Sequence, residues 1–379
     1  MRQRRRMFKI DRRLIHNFDW PTFAAVVCIS VFGIMTIFSA TRQPAEAAQS
    51  PLFIKQIIWL VIGIIGLLVF ASFDYIWLSR IAVPVYVTGL ILLLVVLVSG
   101  KTGMGAQRWI SLGPVAFQPS EFFKLVFIIM IAQYFSLLQG PFEITRLLRV
   151  FFVIVLLPFV LLFKQPDLGT AVVIFLIFFS MVMTKGLQKK ALVMILMIGL
   201  VSLPFLGNIF WTGLKDYQKN RLVAFMDPEA DPAGIGYHIN QSKVAIGSGE
   251  LLGKGFLKGT QGPFRFLPER HTDFIFAVFA EEWGFLGSLF LLLLYFFLIV
   301  RGLDTARKAK DEFGSMLALG ITFMFAVYFF INVGMTLGIM PVVGIPLPFM
   351  SYGGTALLSN FVSAGVLINI RTRRFSLFY

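Results

Sequence analysis

Five carboxylates stand at or within strongly apolar stretches: Glu121, Asp167, Asp273, Glu281 and Glu282. An acid in such a place is costly unless it faces a cavity or a partner. Each is therefore a candidate for chemistry or for a buried ion pair. Asp273 opens the run Phe274-Ile275-Phe276-Ala277-Val278-Phe279-Ala280, where a carboxylate can cap a helix or take a proton as a general base. Glu281 and Glu282 follow about 12–13 Å further along a helix, and Glu282 lies half a turn round from Asp273. They cannot close on Asp273 as a dyad, so pairing with Lys or Arg, or a polar cavity, is expected. Glu121 and Lys124, in Gln118-Pro119-Ser120-Glu121-Phe122-Phe123-Lys124, are three apart and share a helix face. Ordinary helix-start chemistry explains the same pattern: Pro first, an acid in the first turn, Lys reaching outward. Asp167, in Lys164-Gln165-Pro166-Asp167-Leu168-Gly169-Thr170, reads first as a cap. One cysteine, Cys28, excludes a disulfide framework and a thiolate metal cluster. Three histidines, His16, His238 and His271, leave little for zinc or haem. No Walker or dinucleotide fingerprint occurs, which argues against an ATP-driven pump.

The elements that carry these residues are membrane spans. Of 379 residues, 58% are hydrophobic and only 14% are charged, against about 45–50% and 25% in a soluble chain. Mean hydropathy is +0.82. Ten runs approach the roughly 20 apolar residues a span needs. They lie near 20–41, 54–73, 78–99, 120–138, 148–165, 168–184, 190–210, 273–300, 315–338 and 350–370. The expected fold is an all-α polytopic membrane protein, one transmembrane domain over 1–379. An even number of spans puts both termini on one side. Twenty Lys and Arg fall on that side, seven of them within 1–13, against six on the other face outside its long loop. The positive-inside rule therefore predicts cytoplasmic termini, 1–19 and 371–379. The net charge of +15 is then topology and needs no nucleic acid. The first run is too long for a signal-peptide core and reads as a retained span.

Even-numbered spans then start at the outer surface, where helix N-termini favour phosphate. The long stretch 211–272 between spans seven and eight reads as a functional outer loop. Glycines at 247, 249, 253, 255 and 259 would permit hinges, and 237–258 could lie on the membrane surface. The segment Gly338 to Gly354 holds Pro341, Pro346 and Pro348, so it suits a re-entrant turn, a groove wall or a simple rigid turn. His238, alone in its loop, is a weak ligand candidate.

Several strings, in order, resemble the SEDS family of membrane glycosyltransferases. They are Ala106-Gln107-Arg108-Trp109-Ile110, Gln118 to Lys124, Lys164 to Thr170, Asp231 to His238, Gln241 to Gly249, Leu267 to Phe274 with Glu281-Glu282, and Pro346 to Gly354, which contains Ser351. Gly236-Tyr237-His238 and Gly259-Thr260-Gln261 are similar to the elongation (RodA) branch, whereas the division (FtsW) branch tends to have Gln after that Tyr. Glu250 and Asn369-Ile370-Arg371 depart from the family's usual pattern.

The resemblance implies polymerisation of lipid II into β-1,4 glycan strands outside the bacterial cytoplasmic membrane, with inversion at the anomeric carbon. Undecaprenyl pyrophosphate is released. It implies Asp273 as general base. Lys124, Arg108 and Arg221 become candidates to stabilise the pyrophosphate, with Glu121 and Ser351 as further substrate contacts. A Mg²⁺ or Mn²⁺ held by one carboxylate and phosphate oxygens suits such a substrate, with Glu121 as the candidate ligand. The implied partners are a class B penicillin-binding protein, which is a transpeptidase, and elongation proteins such as MreC and MreD. Two other readings stay open: a transporter that flips lipid-linked precursor, and a non-catalytic scaffold for cell-wall enzymes. A transporter would place its charges near the midplane, often in inverted repeats, and no repeat is visible here.

Overall fold

The computed structural model describes residues 17–42, 51–103, 106–112, 115–138, 140–194, 212–214, 216–227, 234–260 and 267–374. The seventh expected run, 190–210, lies mostly outside them, as do most of 1–19 and 371–379. The other nine runs are helical. In order come α1 (Trp20–Thr41), α2 (Pro51–Ser72), α3 (Ile76–Arg80) and α4 (Ala82–Ser99). A three-stranded antiparallel sheet follows, β1 (Lys101–Gly103), β2 (Ala106–Leu112) and β3 (Val115–Phe117). Then come α5 (Pro119–Ser136), α6 (Ile144–Val150), a π-turn (Phe151–Val155), α7 (Leu156–Lys164) and α8 (Leu168–Lys185). The rest are α9 (Asp216–Met226), α10 (Ile235–Ser248), α11 (Ile275–Arg307), α12 (Glu312–Thr336) and α13 (Gly354–Thr372). Seven helical segments among the described residues are long and apolar enough to cross a membrane. α13 is buried along nearly its whole length, so its Ser359, Asn360, Ser363 and Asn369 meet protein and not lipid.

The small sheet is the one departure from an all-α expectation. It occupies the polar stretch before α5, where Gln107 donates to the Gly100 carbonyl at 2.8 Å. Two expected spans are interrupted for identifiable reasons. The fifth contains Pro158, which has no N–H for the Ile154 carbonyl. A π-turn precedes it, and Tyr86 of α4 donates to that carbonyl at 2.6 Å. The eighth is longer than expected and breaks at Gly284, whose φ of 65° combined with ψ of −163° suits glycine alone.

That break receives the long loop. Lys254 N donates to Glu281 O and Gly255 N to Glu282 O, both at 3.0 Å. Phe285 N returns a bond to Glu250 O at 2.8 Å, and Leu286 N one to Leu251 O at 3.1 Å. A Cβ on Gly249 would meet Ala280 O at 2.1 Å, and one on Gly253 would meet Glu282 O at 2.1 Å. These two glycines therefore serve close backbone approach, not the hinge role expected of them. α10 likewise packs along α11, so 237–258 is docked on the bundle. Leu251 and Leu252 at its tip are its most exposed large apolar residues, and Val244 on α10 is half-exposed.

Candidate active site

The N-termini of α5, α8, α11 and α13 gather at one end of the bundle. Ser120 of α5 donates to Asp167 before α8 at 3.3 Å. Ser351, just before α13, donates to the Thr272 carbonyl before α11 at 2.7 Å. Thr355 of α13 reaches the Ala116 carbonyl, beside α5, at 3.3 Å. Four N-terminal ends with their free N–H groups make this end electropositive beyond its side chains.

The Pro/Gly segment after α12 forms one wall there. Pro341, Val342 and Val343 line a cleft with Arg108 of β2, Pro166, Leu168 and Gly169 at the start of α8, and Gln218, Arg221 and Leu222 of α9. It encloses about 390 Å³ including its open mouth. A groove wall, one of the alternatives for this segment, is thus what it forms. Three prolines and Gly338 and Gly344, both with positive φ, keep it from continuing α12.

Asp273 lies beside this cleft, behind Arg221, which lines it. Its backbone turn, 267–274, leads straight into α11. Gly344 has φ +79°, and a Cβ there would meet Arg221 Nη1 at 3.2 Å and Asp273 Oδ2 at 3.3 Å. The carboxylate and the guanidinium therefore face the same glycine. Arg221 is fixed by donating from Nη1 to the Val343 carbonyl at 2.8 Å. Burial pushes the Asp273 carboxyl up to about 6; the Arg221 charge pulls it back, Glu269 pushes it up and Arg108 pulls it down. Arg108 donates to the Pro166 carbonyl and lies 3.6 Å from Asp167 Oδ1. Asp167 also accepts from Thr170 N at 3.3 Å, so it is the expected helix cap and a support for Arg108 as well.

The structure brings Asp273, Arg221 and Arg108 together and separates the other candidates from them. Lys124 is buried inside the bundle, 2.7 Å from Glu121 Oε2, and also donates to Tyr328 of α12. Its charge is answered by Glu121, and it is not among the residues that line the cleft. Glu121 in turn is occupied by that ammonium, which does not fit it as a ligand for a divalent cation. Among the described residues no three His, Cys, Asp or Glu side chains gather to hold one. Ser351 is buried and its hydroxyl is used internally, accepting from Leu347 N at 2.8 Å while donating to Thr272 O. It ties the proline turn to the Asp273 loop. Glu281 pairs with Lys254 at 2.6 Å, as the expectation of an intramembrane partner required, and also accepts from Thr260 N and Oγ1 at 2.8 Å. Glu282 accepts from Ser39 of α1.

Sequence reasoning passed over two neighbours of Asp273. Gly344 is one of many glycines, and nothing local marks it. Asn332 carried a signal, being a lone amide in the apolar run 315–338.

The profile of the family described as cell cycle protein, that of FtsW, RodA and SpoVE, matches residues 19–375. Peptidoglycan glycosyltransferase MrdB of Escherichia coli is 39% identical over 355 residues, covering 93% of this chain and 94% of that protein. A probable peptidoglycan glycosyltransferase FtsW of Trichlorobacter lovleyi is 38% identical, covering 93% of each. Among solved structures, a chain from a peptidoglycan synthase complex that coordinates polymerization and crosslinking aligns with a TM-score of 0.79 at 30% identity. It covers 95% of this chain and 99% of its own. The rod shape determining protein RodA of Thermus thermophilus aligns with a TM-score of 0.69 at 28% identity, covering 95% and 98%.

Proposed function

The chain belongs to the FtsW, RodA and SpoVE family, the SEDS proteins, and on that premise we propose that it is a peptidoglycan glycosyltransferase that polymerises lipid II in an inverting reaction. Asp273 is its general base. The observation that carries this is the meeting of Asp273 and Arg221 across Gly344, beside a cleft that Arg221 and Arg108 line.

Asp273 takes the proton of the acceptor sugar's 4-hydroxyl. That oxygen attacks the donor's anomeric carbon from the face opposite the pyrophosphate. The new β-1,4 bond forms as the bond to the pyrophosphate oxygen breaks, and undecaprenyl pyrophosphate departs with the electron pair. Direct inversion needs one base and no second carboxylate nucleophile, which suits a single acid beside two arginines. Arg221, Arg108 and the N-terminus of α8 supply fixed positive charge for the leaving group. A carboxylate raised to about 6 by burial is mostly ionised at neutral pH yet more basic than a free one. These side chains suffice for proton removal and for leaving-group stabilisation. A Mg²⁺ or Mn²⁺ brought by the pyrophosphate would add charge to the leaving group, and Glu121 would not hold it.

The proposal extends to the surroundings. The charge bias of twenty basic residues against six supports cytoplasmic termini and a cleft on the outer face of the cytoplasmic membrane. The match to a chain from a synthase complex supports a class B penicillin-binding protein as partner; elongation proteins such as MreC and MreD complete the proposed assembly. The strings Gly236-Tyr237-His238 and Gly259-Thr260-Gln261 support service in cell elongation and rod shape.

The test is polymerisation of lipid II by the purified protein with its cognate transpeptidase, with and without Mg²⁺ or Mn²⁺. Wild type is expected to make glycan strands, and a folded Asp273→Ala variant none, a loss of at least about 100-fold. Full activity in that variant removes Asp273 from the chemistry. Absence of strands from either protein, with lipid II crossing a vesicle bilayer, establishes the transporter instead.

A further inference from the structure

Asp273 is held by its backbone as well as by its surroundings: Ser351 ties down the neighbouring Thr272, and one buried side chain bonds the Asp273 carbonyl itself. Asn332 lies on α12, one turn beyond Tyr328, and is fully buried. Its Nδ2 donates to the main-chain carbonyl of Asp273 at 3.0 Å and to that of Ile345 at 2.7 Å. Ile345 follows Gly344, the residue against which both Asp273 and Arg221 rest. One amide therefore joins the loop that carries the base to the turn that forms its opposing wall. Both N–H groups of that amide are spent on carbonyls from two segments 72 residues apart, and no neighbouring side chain duplicates the link to Asp273 among the described hydrogen bonds.

We propose that Asn332 is a positioning residue for the transferase reaction, which sets the distance of the Asp273 carboxylate from Arg221 and from the acceptor hydroxyl. This rests on the reading of Asp273 as general base. Asn332 touches neither substrate nor the reacting atoms. Its contribution is to deny the Asp273 turn the freedom to slide along the cleft, and a shift of about 1 Å at such a place is enough to cost on the order of 100-fold in turnover. The carboxylate's charged surroundings are Arg221 on α9, Arg108 on β2, and Glu269 and His271 in its own loop. Of all influences on it, removal from water is the largest. Loosening the turn lets water in, so the group should become more acidic.

The experiment uses the full chain with its transpeptidase partner and compares Asn332→Leu and Asn332→Asp with Thr336→Val, a buried control one turn along α12. For each, kcat and KM for lipid II are measured across pH, with melting temperature and hydrogen exchange over 268–275. Asn332→Leu and Asn332→Asp are expected to lose kcat by about 10- to 100-fold with KM changed less than about threefold. In Asn332→Leu the acid limb of kcat is expected to move to lower pH, and exchange over 268–275 to rise in both variants; in Asn332→Asp the added carboxyl opposes the shift of the limb. Thr336→Val should keep the limb in place even where it melts lower. The proposal is overturned if activity falls only with the folded fraction while limb and exchange stay put. If Asp273→Asn is itself active, the reading of Asp273 has failed; if it is inactive while both Asn332 variants match wild type, only the positioning role has failed.

Discussion

Arg221 does two things to Asp273, and they separate by pH. Its charge holds the carboxyl below where burial alone would place it, and it supplies positive charge for the departing pyrophosphate. A general base acts only when unprotonated. Turnover should therefore fall about tenfold per pH unit below about pH 6, where Asp273 gains its proton. Removing Arg221 takes away a cation that favours the ionised form, so the carboxyl becomes less acidic. In Arg221→Ala the acid limb should move to higher pH, opposite to Asn332→Leu, while the plateau drops by about 100-fold for the lost anion stabilisation. A pH–rate profile with the limb unmoved would show that Arg221 does not act on Asp273. Linkage adds a weaker effect on the fold. A raised carboxyl favours the folded state below about pH 3.8 and loses that contribution as pH rises through about 6.

The long loop depends on α11 being broken. An intact helix at Gly284 would have no backbone groups free to receive Glu250, Leu251, Lys254 and Gly255. Glu281 adds a side-chain latch, since one buried carboxylate oxygen takes Lys254 Nζ, Thr260 N and Thr260 Oγ1. Glu281→Ala leaves three donors behind, one of them charged, at a local cost of about 3 kcal/mol. Hydrogen exchange over 250–260 should accelerate by about 100-fold, the same energy read as an opening equilibrium. Protection unchanged there would mean that the four backbone bonds hold the loop unaided. The loop's attachment also bears on α10 and through it on α9, which carries Arg221.

Taken whole, the molecule has two unlike polar ends. Opposite the cleft, Asp19 before α1 meets Arg301 of α11 at 2.7 Å and Arg371 of α13 at 3.4 Å. Arg371 also reaches Asp304 at 2.8 Å, which Lys308 joins at 2.8 Å. This network fastens three helices at the end rich in Lys and Arg. Asp19 is nearly buried, so Asp19→Ala removes the anion that Arg301 meets and leaves buried Arg371 with Asp304 alone. The cost is about 3 kcal/mol, lowering the melting temperature by about 4 °C. Lipid II polymerisation at low temperature should survive, because the cleft lies at the other end. A variant that melts like wild type would show the network to be no more than a surface ion-pair set.

Periodicity and composition sufficed for nine helical runs of the ten expected, the seventh lying mostly outside the described residues, and for the inventory of costly acids, because these follow from what a bilayer admits. Asp273 was legible for the same reason, as an acid opening an apolar helix. The motif order added the family. Which polar residues meet could not be read along the chain. Lys124 and Arg108 looked alike as cations near helix starts, yet one is neutralised inside the bundle and the other lines the cleft. Arg221 and Asp273 are separated by a long loop whose return path is set by backbone bonds at Gly284. Gly344 and Asn332 matter through contacts with segments far away in sequence. Hydropathy reports how one residue partitions between water and lipid. A site depends on which residues share a cavity, and that is settled by helix packing and loop docking.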